Sequence, residues 1–209
     1  MNTKTKVLVL ALCAVLLVVT TVFATMAFLT SEDSVQNTFT SGHVYIELDE
    51  ADVDTAGKIE AGADRTSTEG RVDANEYHLM PGHTYVKDPT VHVSTSSEDC
   101  WLFVKLTNDL KPIIVSDTIE EQMVKNGWTV IDEANNVWAY GEKVSGGADI
   151  PVFDSFTLAE DANVSQYATV MDAAGNVTGG ATVNIIAYAV QYDGFESGAT
   201  AAWDATFGK

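Results

Sequence analysis

The sequence predicts an all-β protein, an antiparallel jelly-roll-like β-sandwich with one or two short helices. Three observations carry that expectation. Apolar residues recur with a period of two from Gly42 onward. Clusters of Asp, Asn, Gly and Pro separate those runs. Helix signals are confined to two short segments. With 209 residues, 46% of them apolar and 9% aromatic, the chain can build one domain with a sizeable core.

Taken in order, Val44, Ile46 and Leu48 alternate with Tyr45, Glu47 and Asp49, the pattern of a half-buried strand. The segment 51–76 breaks the pattern. Its seven acids and three bases leave only Val53, Ile59 and Val72 as sizeable hydrophobes, which predicts a long exposed acidic loop. Val91 and Val93 resume the alternation after Pro89, and Trp101 to Leu106 is nearly continuous apolar, as a central strand should be. Asp117 is expected to cap a short helix running through Val124, with Glu120 completing a capping box and Gly127 as the stop. Trp128 to Ile131 and Val137 to Tyr140 flank the turn residues 132–136 and read as a hairpin. Val152 to Leu158 and Thr182 to Tyr192 supply two more strands, with a turn at 172–176 between them. A second short helix is expected over Thr200 to Phe207. Seven or eight strands of this kind make a single sandwich domain over residues 42–209.

Charge is one-sided. Asp and Glu number 30 against 11 Lys and Arg, for a net charge of −19. That balance argues against nucleic-acid binding, which needs clustered bases, and against docking on anionic lipid through a basic patch. At the N-terminus, Lys4 and Lys6 precede an uncharged stretch from Val7 to Leu29, strongly apolar only over Val7 to Val19. These are the parts of a secretory signal peptide, assigned to residues 1–27. Thr25-Met26-Ala27 fits the cleavage pattern and places the cut between Ala27 and Phe28, with a cut after Ala24 as second choice. The competing reading is a retained membrane anchor; the apolar core is short for one, and no Lys or Arg stop follows. The protein is therefore expected to meet the membrane only transiently and to be secreted. Losing residues 1–27 removes two lysines and no acids, which takes the net charge from −19 to −21. The remaining thiol, Cys100, opens an apolar run and is expected to be a small buried hydrophobe.

Signatures of catalysis are scarce. The chain has no H-E-x-x-H, G-x-S-x-G, phosphate loop or C-x-x-C. His43, His78, His83 and His92 share no helical spacing; two could meet across a sheet and hold zinc, while solvated or strand-surface positions are the favoured reading. Asp49, Glu50, Asp52 and Asp54 crowd one stretch, and Asp52 to Gly57 starts like a calcium loop. Ala56 and Ala63 then stand where ligands should be, so weak calcium binding is set beside the simpler account of a solvated acidic loop. No catalytic residue, metal ligand or cofactor is expected.

The order of short motifs along the chain carries a resemblance. Ala27-Phe28-Leu29-Thr30-Ser31-Glu32-Asp33 leads into Asn37-Thr38-Phe39-Thr40-Ser41-Gly42 and then the strand from Val44. Leu79-Met80-Pro81-Gly82, Tyr85 to Val91, Cys100 to Lys105 and Ala202 to Gly208 follow in turn. Together they resemble the TasA/camelysin family of Gram-positive bacteria; Leu29 departs from the second aromatic common at that junction.

The resemblance implies a signal cut by a SipW-type signal peptidase, a jelly-roll domain, and assembly into extracellular fibres of the biofilm matrix or cell surface. Assembly there is by donor-strand complementation, with or without an accessory fibre protein. It would make residues 28–41 a polymerisation arm anchored by Phe28, Leu29, Val35 and Phe39, and make the protein its own main partner. The alternatives for the arm are a disordered leader or an edge strand of its own subunit. Because some relatives carry the name of a camelysin-type metallo-endopeptidase, that activity is the rival class, with a secreted binding module as a third; the residues themselves supply no site for catalysis.

Overall fold

In the computed structural model, which describes residues 2–6, 14–16, 43–59, 70–167, 170–171 and 177–208, the period-two runs form antiparallel ladders throughout. The chain divides into Met1–Thr40 and Ser41–Lys209. Within the first unit, residues 3–6 and 14–16 are helical. The expected cleavage junction, Ala27 and Phe28, and the arm anchors Phe28, Leu29, Val35 and Phe39 lie outside the described residues. Among the described residues no helix is long and apolar enough to cross a membrane.

Two four-stranded sheets organise the second unit. The first contains β1 (Ile46–Ala51), β2 (Arg71–Val72), β4 (Thr90–Val93) and β8 (Asp149–Pro151), in the order β2-β1-β4-β8. The second contains β5 (Cys100–Asn108), β6 (Trp128–Asp132), β7 (Val137–Tyr140) and β12 (Val183–Gln191), in the order β12-β5-β7-β6. Among the described residues two small ladders complete the set: β3 (Thr84–Val86) with β9 (Ser155–Thr157), and β10 (Val170–Met171) with β11 (Val177–Gly179). The longest ladder pairs β5 with β12 over nine residues, from Cys100↔Gln191 to Asn108↔Val183.

Alternation along β5 decides where the core sits. Leu102, Val104 and Leu106 face the first sheet and pack in one cluster with Val91, Val93, Ile185 and Trp138. Trp101 and Phe103 face the other way and are covered by helix α2 (Ala199–Thr206), through Ala202 and Trp203. Both faces of β5 are thus buried, which explains why its sequence is continuously apolar rather than alternating.

Several expectations need correction. The first strand begins at Ile46 and continues to Ala51, so it takes in the start of the segment expected to be an exposed loop. That segment is also anchored further along: Ala51 and Val53 are buried, and Arg71–Val72 is strand β2. The single strand expected from Val152 to Leu158 is β9, and the chain before it crosses from β8. Val152 and Phe153 are both fully buried there, which a half-exposed strand does not allow. Helix α1 (Ile119–Lys125) starts one residue later than expected. Asp117 has φ +52°, so Thr118 is the cap, its hydroxyl accepting from Glu121 N while the Glu121 carboxylate accepts from Thr118 N. Gly127, at φ +91°, ends the helix as expected. Buried Gln122 then ties α1 to β9, donating to the carbonyls of Asp117 and Ser155 and accepting from Asp154 N and Ser155 N.

Candidate functional site

Adjacent residues of a strand point to opposite faces, so Asp49 and Glu50 at the end of β1 serve two different clusters. Both carboxylates are buried, 7% and 3% exposed, contrary to the expected solvated loop. Burial of a carboxylate requires a cation or several donors.

On the outer side, the partner of Asp49 is Arg71, whose side chain is 2% exposed. Its Nε donates to Asp49 Oδ1 at 2.5 Å; Nη1 lies 3.4 Å from Asp88 Oδ2, and Nη2 donates to the Asp88 carbonyl at 2.9 Å and to Thr90 Oγ1 at 3.2 Å. Burial alone would lower the Arg71 pKa, but the bonds to Asp49 and Asp88 outweigh it and the net shift is upward. Asp88 Oδ1 in turn accepts from Ala51 N at 2.7 Å. One guanidinium thereby joins β1, β2 and the segment leading into β4.

His92 extends this network across the sheet. In register it faces Glu47 of β1 and Asp149 of β8. Its Nε2 lies 2.9 Å from Asp49 Oδ1, the oxygen that Arg71 also uses, and its Nδ1 lies 2.6 Å from Asp149 Oδ1. A ring with a carboxylate on each nitrogen satisfies both only as the imidazolium. Burial lowers its pKa, the bonds to Asp149 and Asp49 raise it, and the upward contributions prevail. A folded-state pKa above the unfolded value of about 6.5 stabilises the fold fully below that value, and the contribution is lost as pH rises through the folded pKa. Urea midpoints of the wild type and His92→Gln should therefore differ most near pH 6 and converge towards pH 9. A constant difference would mean the ring acts by packing alone.

On the inner side, Glu50 pairs with Lys87 and accepts from Asn75 Nδ2 at 2.9 Å. Asn75 also donates to the Ala51 carbonyl at 2.9 Å and accepts from Val53 N at 3.0 Å. Tyr77 stands beside them, 6.0 Å from Lys87 Nζ at its ring centre, with its hydroxyl donating to the Val86 carbonyl. Burial, then the charges of Glu50 and Asp88, push the Tyr77 pKa up.

The remaining candidates do not converge. His83 Nε2 meets the Ala56 carbonyl at 2.8 Å, and His43 packs near Tyr45. Asp54 Oδ1 accepts from Ala56 N and Lys58 N at 2.9 Å each, so one oxygen of the calcium-loop-like stretch caps its own turn. Among the described residues no three of His, Cys, Asp and Glu are placed to hold a metal ion. Cys100 is fully buried as expected, and burial, aided by the Asp99 charge, lifts its thiol to about 11.

Two strand edges complete the picture. Among the described residues, β1 is paired with β4 along Ile46–Asp49 but on its other side only through Glu50 and Ala51. Among the described residues β12 is the outer strand of its sheet, and β1 and β12 approach each other. The residues that sequence reasoning missed are Arg71, Asn75, Lys87 and Asp88. The available signal was the acidic pair Asp49-Glu50 ending an apolar strand just before Ala51 and Val53, a position that demands buried partners. Compared with protein-family models, curated proteins and solved structures, the chain has no match in any of the three.

Proposed function

We propose that the protein is a secreted structural subunit that self-assembles into extracellular fibres of the cell surface or biofilm matrix, its domain a jelly roll. The observation that supports this reading best is the pair of neighbouring edges, β1 and β12, which present ladder groups without a partner strand among the described residues. An added strand there gains main-chain hydrogen bonds and places alternate side chains against the core. Residues 28–41, with Phe28, Leu29, Val35 and Phe39 spaced among polar residues, have the composition of such a strand. Export with a SipW-type signal peptidase would free that arm for a neighbouring subunit.

Residues 28–209 and 42–209 should be compared by negative-stain microscopy. Filaments are expected from the longer chain only, growing faster as salt screens a charge of −21 per subunit. Monomers from both at every salt concentration would overturn the reading.

A further inference from the structure

We infer that Asn75 and Lys87 become joined by an intramolecular amide that the folded chain forms itself, with Glu50 carrying the proton. Three groups of the right chemistry meet, two of them buried and Asn75 half-buried: an amine, a primary carboxamide and a carboxylate between them. Lys87 Nζ pairs with Glu50 Oε2, and Asn75 Nδ2 donates to Glu50 Oε1 at 2.9 Å, so each reactant sits on one oxygen of the same carboxylate. Lys87 is 8% exposed and Glu50 3%. The amide of Asn75 is held in one orientation, because Nδ2 also donates to the Ala51 carbonyl while Oδ1 accepts from Val53 N.

That orientation suits acyl transfer. Glu50 Oε2 takes a proton from Nζ, and the freed lone pair attacks Asn75 Cγ. Negative charge develops on Oδ1, which faces the Val53 N–H at 3.0 Å. The tetrahedral centre collapses by breaking Cγ–Nδ2: Glu50 gives its proton to the departing nitrogen and takes the second proton from Nζ, so that ammonia leaves and a neutral secondary amide stands beside a protonated Glu50. An amine and a primary amide give a secondary amide and ammonia, with no change of oxidation state. Held in place by the fold, the reactants have the high effective concentration of an intramolecular reaction. Burial favours the outcome, since a neutral amide replaces a buried charged pair. The bond would brace the segment between β2 and β4 in a domain whose thiol, Cys100, is buried and free. It does not rest on the fibre reading.

Tryptic peptides of the purified full chain distinguish the two states. Unlinked chain yields the peptide 72–87, because cleavage follows Arg71 and Lys87. In linked chain Lys87 is acylated and resists trypsin. The expected product is 72–105, lighter than its sequence mass by one ammonia, with no backbone fragments between 75 and 87 in its tandem spectrum. Glu50→Gln, which keeps both reactants, should restore peptide 72–87 at full mass, as should Asn75→Ala. Wild-type chain that gives peptide 72–87 at full mass after prolonged incubation at neutral pH overturns the proposal, however the variants fold. So does a Glu50→Gln chain that still carries the link.

Discussion

Arg71→Met is expected to destabilise the domain by about 3–5 kcal/mol, the range for removing one partner of a buried ion pair. Methionine fills much of the same volume, so the loss isolates charge and hydrogen bonding from packing. Without the guanidinium, Asp49 and Asp88, 7% and 4% exposed, face each other in a poorly solvated site. Thr90 Oγ1 and the Asp88 carbonyl lose a donor as well. Some relief remains, because Asp88 still accepts from Ala51 N and Asp49 from the His92 ring. Arg71→Lys separates the two contributions: it keeps the charge but cannot reach two carboxylates, a carbonyl and a hydroxyl with one planar fork. Its loss should fall between wild type and Arg71→Met. Urea denaturation gives both numbers; a loss under about 1 kcal/mol for the methionine variant, typical of exposed pairs, would show that water reaches the network.

The same residue marks where the sequence stops being readable. Strands β5, β6, β7 and β12 are visible in the chain because their burial depends on their own composition, and the hairpin of β6 and β7 is announced by its Asp/Asn turn. The all-β antiparallel class follows from those strands. Their pairing is another matter: Cys100 meets Gln191 in register although no local pattern relates them. The acidic segment misled for a physical reason. Composition counts charges without saying which cation each carboxylate meets, and Arg71, Lys87 and Asn75 neutralise or bond Asp49 and Glu50 from positions 22 to 37 residues away. Helix α1 shows a smaller failure of the same type, where backbone sign at Asp117 moved the cap by one residue. The predicted arm and junction fall outside the described residues, so those assignments rest on the sequence.

Gly57→Ala tests whether the start of that segment belongs to the core. Gly57 has φ +69°, and a Cβ there would stand 2.7 Å from Tyr85 Cδ1 and 2.9 Å from Tyr85 Cα. The backbone atom cannot yield, since Val86 N, one residue on, donates to the Gly57 carbonyl at 3.0 Å. Nor can the ring move freely. Tyr85 is fully buried, stacked on Phe156 at 5.0 Å, and its hydroxyl donates to the His78 carbonyl at 2.8 Å while accepting from Met80 N at 2.6 Å. Left-handed backbone strain and overpacking together should cost about 2–5 kcal/mol. Gly70 supplies the control: its φ is +81°, but among the described residues nothing lies within 4 Å of the position a Cβ would take. Gly70→Ala should therefore show backbone strain alone, about 1–2 kcal/mol. The difference between the two variants measures the contact with Tyr85. If they lose stability equally, the stretch from Val53 to Ile59 is held only by its own turn. If Gly57→Ala loses distinctly more, that stretch is packed against the aromatic cluster and the acidic charge around it lies over a folded floor.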